Sequence, residues 1–182
     1  MSARPSYLGL LNAITVGEAR GYQLLSAWAQ KTDNRGLAEV LNLVAIRENE
    51  HAGAFAKRLC ELGYAVRKAP NQKFDTHLAY VNSDASDEEK FAKVLGLGGE
   101  ADDKRPDARL NLFADESIDP QTGALLGRFI AEERDSKRRL NDARKNAHKE
   151  LTRNNDDLLL QEIAERLNRL TTTIEELEAV RQ

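Results

Sequence analysis

Residues 37–62 read LAEVLNLVAIRENEHAGAFAKRLCEL. Large apolar residues at Leu37, Val40, Leu41, Val44, Phe55, Leu59 and Leu62 recur at helical spacing and trace one face of a helix. The stripe is interrupted at its middle, where the residues in line with it are Glu48 and His51, and Gly63 closes the segment as a C-cap. Upstream, Tyr7, Leu10, Leu11, Ile14, Leu25 and Trp28 give a first helix with the same periodicity. At about 100° per residue, the two turns of that stripe without a large apolar residue are filled by Glu18 and Gly21. The cluster Thr32-Asp33-Asn34-Arg35-Gly36 is a turn. The two helices therefore form an antiparallel hairpin with polar interruptions near the middle of each.

Working outward, Phe74, His77, Leu78 and Val81 have helical spacing among polar neighbours, which leaves a short helix or an ordered loop. Ser86 followed by Glu89 is a capping box, predicting a short third helix over 87–95 that carries Phe91, Val94 and Leu95 and stops at Gly96, Gly98 and Gly99. Residues 100–117 read as irregular. Asp119-Pro120 is an N-cap followed by Pro at the first helical position. A fourth helix follows, with Leu126, Phe129, Ile130 and Leu140 on its stripe, Glu133 on the central line, Ser136 one turn on and Arg144 beyond Leu140. Asn154, Asn155, Asp156 and Asp157 predict a break and a new helix start. The fifth helix then carries Leu160, Ile163, Leu167, Leu170, Ile174 and Leu177 at alternating steps of three and four, a coiled-coil seam. The expected organisation is a helical bundle over 1–150 and a helical pairing segment over 151–182.

The chain has 182 residues, of which 41% are hydrophobic, 5% aromatic and 31% charged, a balance that favours an all-α protein over a β-sandwich or barrel. With 27 Lys+Arg against 30 Asp+Glu the net charge is −3, so nothing marks the whole chain as a nucleic-acid binder. The basic run over 137–149 spreads around its helix and reads as a solvated or internally paired face. Gly96-Leu97-Gly98-Gly99 follows a helix instead of preceding one, the wrong context for a phosphate-cradling loop. Cys60 is the only cysteine, which excludes an intrachain disulfide or a cysteine-ligated cluster. It reads as a small buried residue of the second helix. Residues 1–7 lack the apolar region of a secretory signal and no apolar run approaches the length of a membrane span, so a cytoplasmic location is expected.

A carboxylate on the apolar face of a helix is costly unless it is paired, protonated or bound to a metal. Glu18, Glu48 and Glu133 all lie in line with core residues, and Glu48 with His51 forms Glu-x-x-His. That spacing sets a carboxylate and an imidazole one turn apart on one face, within reach of one cation or two neighbouring ones. The donor types suit iron, manganese or zinc. The competing reading of the same residues is a buried salt-bridge network involving Arg20 or Arg47.

Gly17-Glu18-Ala19-Arg20 in a first helix and Glu48-Asn49-Glu50-His51-Ala52 in a second resemble the first half of the ferritin-like superfamily, nearest to the rubrerythrin-like proteins. The resemblance covers roughly residues 6–63 and part of the fourth helix. It implies a four-helix bundle holding one or two iron or manganese ions, with Glu18, Glu48, His51 and Glu133 as metal residues and oxygen or peroxide activation as the chemistry. The second half departs from the family pattern. Laying the fourth helix on the second by its core stripe matches Glu48 to Glu133 but His51 to Ser136. The alternative register matches them to Glu132 and Asp135, but puts Asp135 about 150° from the middle of the apolar stripe. Glu133 is therefore assigned. Glu88 lies on the side of Phe91 and Leu95, in a capped first turn where the helix dipole alone favours a carboxylate. Tyr22, one turn after Glu18, is either a redox-active or hydrogen-bonding phenol or, like Trp28, an ordinary rim or core aromatic. A second cysteine-ligated iron centre of the rubrerythrin kind has no ligands here, so an electron donor would be external.

The alternative to a metal protein with oxidase or peroxidase activity is a non-enzymatic helical scaffold or interaction protein that has lost its metals. A nucleic-acid-associated role of the kind some ferritin-like proteins have is a third, weaker reading. Residues 134–150 hold seven basic and three acidic side chains, and residues 151–182 four basic and seven acidic. The fifth helix either folds back on the fourth or pairs with another subunit; the seam predicts a homodimer.

Overall fold

The computed structural model describes residues 5–97 and 117–180. Among them every regular element is helical: α1 (Leu8–Lys31), α2 (Arg35–Glu61), α3 (Gln72–Val81), α4 (Asp87–Lys90) continued by a π-helical turn (Phe91–Leu95), and α5 (Pro120–Val180). The chain is all-α, as its composition and periodicity predict. It divides into two compact units, residues 1–144 and 145–182.

The caps explain where the helices begin and end. Asn34 accepts from the Leu37 amide at 2.9 Å and starts α2. The end of α2 is a Schellman closure, Tyr64 N donating to Leu59 O and Gly63 N to Cys60 O, which requires the left-handed φ of 81° that Gly63 supplies. Asn71 caps α3, which resolves that ambiguous segment as a helix. Ser86 and Glu89 form the expected capping box. The third helix is nevertheless irregular: after one α turn it widens into the π turn, then closes at Gly96 with φ 65°. The expected loop over 100–117 lies, except for Ser117, outside the described residues, as do Gly98 and Gly99.

The core of the first unit consists of two apolar clusters. One gathers Leu8, Leu11 and Ile14 of α1, Phe55 and Leu59 of α2, and Leu126, Phe129 and Ile130 of α5. The other gathers Leu25 and Trp28 of α1, Leu37, Leu41 and Val44 of α2, Leu140 and Ala143 of α5, and Val81 and Phe91 from the shorter helices. Along α1 and α5 the chain passes from the first cluster to the second, and along α2 the reverse, so α2 runs antiparallel to both. The polar interruptions of all three stripes fall between the clusters. Arg144 closes the far end by bonding Glu88 Oε1 at 2.6 Å, and Asp87 accepts from Trp28 Nε1 at 2.7 Å and Thr32 Oγ1 at 2.6 Å.

In the second unit the structure corrects the sequence reading. No break occurs at 154–157, and α5 runs unbroken through the four Asn and Asp residues. Their capping preference is a choice between alternatives, each residue costing well under about 1 kcal/mol inside a helix, and no Gly or Pro is present to force the issue. The fifth helix is therefore a continuation of the fourth and does not fold back on it as a hairpin. Cys60 is likewise exposed, not buried.

Candidate metal centre

Three helices each deliver one acidic or imidazole donor to the polar layer. Glu18 of α1 is 8% exposed and His51 of α2 is 4% exposed. With Glu133 of α5 they offer one donor atom apiece, all within 4.8 Å of one another. His51 Nδ1 lies 3.0 Å from Glu18 Oε2 and 4.0 Å from Glu133 Oε1. On the other edge of the ring, His51 Nε2 lies 2.7 Å from Glu132 Oε2. The rings of Phe129 and His51 meet edge to face with centroids 5.2 Å apart, and Phe129 in turn meets Phe55.

Burial opposes a charge on His51, but the hydrogen bonds and charges of Glu18 and Glu132 outweigh it, and the imidazole pKa is raised above its ordinary value. Burial likewise opposes ionisation of Glu132, yet the bonds from His51 and Arg128 hold its carboxyl below the usual range. Both ring nitrogens of His51 thus lie within hydrogen-bond distance of a carboxyl group, Nδ1 of Glu18 and Nε2 of Glu132.

The structure brings Glu18, His51 and Glu133 together. Glu48 is not a member of that group of three: half-buried one turn from His51, it lays its carboxylate against the backbone of Gly21. A Cβ at position 21 would come within 2.2 Å of Glu48 Oε2, so only glycine leaves room for the carboxylate there. That contact accounts for the missing apolar residue at Gly21 on the α1 stripe. Glu132, which the alternative register offers and the sequence reading sets aside for Glu133, also reaches His51, its long side chain extending from the edge of the α5 stripe.

The remaining polar residues near this layer have their own partners. Arg47 donates to Asp135 Oδ2 at 2.7 Å and Ser136 Oγ at 3.3 Å. Bonds from Arg139, Arg138 and Arg47 hold the Asp135 carboxyl far below the usual range. Arg20 donates to the carbonyl of Ala69 and lies over the ring of Phe74. Glu88 is bound to Arg144. Tyr22 is exposed, and Trp28 is fully buried in the core. Two carboxylates and one imidazole from three helices form a donor set that fits iron, manganese or zinc, with soft ligands absent from it. No protein-family model, curated protein or solved structure matches this chain.

Proposed function

We propose that the protein is a ferritin-like four-helix bundle whose polar layer binds iron or manganese, with α1, α2 and the first half of α5 as three helices and the α3–α4 segment in the place of the fourth. The observation that carries this reading is the buried convergence of Glu18, His51 and Glu133 within 4.8 Å. These three would hold the first ion, and Glu48 and Glu132 stand near enough in sequence and layer to serve it or a second. Such a metal, when bound, would supply oxygen or peroxide activation. The carboxylates supply the negative charge a dication needs, the paired apolar clusters exclude bulk water, and any reductant comes from outside the chain because Cys60 is its only cysteine. Among the described residues no helix is long and apolar enough to cross a membrane; a cytoplasmic setting is part of this proposal.

One observation favours a second reading, a scaffold that has dispensed with metal. Both ring nitrogens of His51 are already engaged by carboxylates, and Ser136 stands where the family pattern has a second histidine. The two readings are separated by metal content. Inductively coupled plasma mass spectrometry on untagged protein, loaded with ferrous iron under nitrogen, is expected to find one to two ions per chain, and none in Glu18→Ala with His51→Ala. No retained metal in either protein selects the scaffold.

A second test isolates Glu48 without deleting it. Gly21→Ala is expected to fold, since the atom it meets is the tip of a flexible side chain and alanine gains up to about 1 kcal/mol of helix propensity over glycine. The displaced Glu48 carboxylate should lower metal retention as far as Glu48→Ala does. Retention at the wild-type level in both variants would remove Glu48 from the ligand set.

A further inference from the structure

In the second unit the large aliphatic side chains over 158–167 stand in solvent. Leu158, Leu159, Leu160, Ile163 and Leu167 are all exposed, Leu160 at 63% and Leu167 at 59%. They fall in a definite pattern. With Leu160 and Leu167 at heptad position a and Ile163 at d, the sequence continues the seam through Leu170, Ile174 and Leu177 without a polar interruption. A period of 3.5 residues presents a narrow stripe that one other helix of the same period covers; a globular groove or a broad core asks for a wider face.

Charge selects among the occupants. Between 156 and 169 the helix carries Asp156, Asp157, Glu162 and Glu165 against Arg166 and Arg169. An acidic face is the wrong sign for an anionic membrane surface, whose amphipathic helices are rich in Lys and Arg. The positions flanking a coiled-coil seam are those that admit or reject a partner by charge. Between 158 and 180 they are Leu159, Ala164, Arg166, Thr171, Thr173, Glu178 and Val180. Arg166 and Glu178 are the charged residues of the seven, of opposite sign, and the Arg166 guanidinium is held by Glu162 of its own helix at 2.7 Å. In a parallel in-register pair position 166 faces position 171 of the second copy and position 173 faces position 178, Arg against Thr and Thr against Glu, so like charges do not meet across these flanking positions. Neither do they present the run of one sign that would select a differently charged partner.

We infer that the 158–180 segment pairs with the same segment of a second copy of this chain, making the protein a homodimer through a short coiled coil. The inference is independent of the metal centre. It is tested on the full chain by sedimentation equilibrium, with Leu160→Gln plus Leu167→Gln as the seam variant, glutamine being a good helix former. Leu158→Gln is the control, because Leu158 is as exposed, at 64%, but lies off the seam. Wild type and Leu158→Gln are expected at twice the chain mass. The seam variant, with unchanged helix content by circular dichroism, should dissociate at least about 100-fold more readily, as loss of two buried leucines per chain demands. A wild-type monomer at tens of micromolar, a species larger than a dimer, a seam variant that stays dimeric, or an equal loss in Leu158→Gln would each overturn the inference. If the seam variant loses helix content, wild type mixed with excess peptide spanning 155–182 decides it: exchange of the peptide into the dimer supports the pairing, and failure to exchange rejects it.

Discussion

Replacing His51 by alanine is expected to destabilise the metal-free first unit by about 3–5 kcal/mol, the range found when one partner of a buried ion pair is removed. His51 lies between Glu18, Glu132 and Glu133 with its side chain 5% exposed, so its loss leaves three carboxylates facing one another across a small cavity. The effect depends on pH with a definite sign. Because the folded pKa of His51 is raised, its contribution is fully present below the unfolded value near 6.5 and is lost as pH rises through the folded pKa. Urea denaturation of chelator-treated wild type and His51→Ala should therefore show the widest gap near pH 6 and a narrowing gap toward alkaline pH. A gap below about 1 kcal/mol that does not change with pH would show that the imidazole is not the charge that holds this layer together. Added metal should stabilise wild type through mass action and leave the variant unmoved.

Asp119→Ala is expected to cost about 3 kcal/mol, adding the loss of an N-cap to the loss of charge-assisted hydrogen bonds. One carboxylate here joins three helices. Asp119 accepts from the Thr122 and Gln121 amides at the start of α5, from Tyr7 Oη at 2.7 Å beside α1, and from Arg58 Nη2 at 2.8 Å near the end of α2. Asp119→Asn keeps the cap and loses the charge, so it should recover about half of the deficit. Burial opposes ionisation of Asp119, but the bonds from Thr122, Tyr7 and Arg58 outweigh it and hold the carboxyl far below the usual range. Its contribution is present above the unfolded pKa near 3.9 and is lost only as pH falls through the folded value. Thermal melts should show the wild-type advantage over Asp119→Asn undiminished at pH 5 and shrinking in stronger acid. The midpoint of Asp119→Ala near neutral pH should fall by roughly 6–12 °C; a fall of under about 2 °C would mean that Arg58 and Tyr7 find equivalent partners without it.

The helical hairpin, its caps and most of the polar layer were legible because each rests on a local rule. Asn34, Gly63, Ser86 and Asp119 act where their side chains and backbone freedom say they should. Glu18, His51 and Glu133 announced themselves as polar residues on apolar lines. What the sequence did not show are effects of reach and of context. Helical-wheel arithmetic reports the direction of a Cα–Cβ bond, and Glu132 arrives at His51 by extending a long side chain from the margin of the stripe. Glu48 looked equivalent to Glu18, but the space left by Gly21 draws its carboxylate toward α1. The helix start expected at 154–157 failed because Asn and Asp cost little inside a helix that neither Gly nor Pro interrupts, and α5 continues through them.

The layer between the two apolar clusters also fixes the alignment of the helices along their axes. Aliphatic clusters of similar composition on either side would tolerate a slip of one helical turn, about 5.4 Å, between neighbours. Such a slip would carry Glu18 from the level of His51 to that of Phe55 in one direction, stranding a carboxyl group in hydrocarbon without its partner. A metal-binding layer and a ruler are then the same four or five side chains, and a descendant that no longer bound metal would still have reason to keep them.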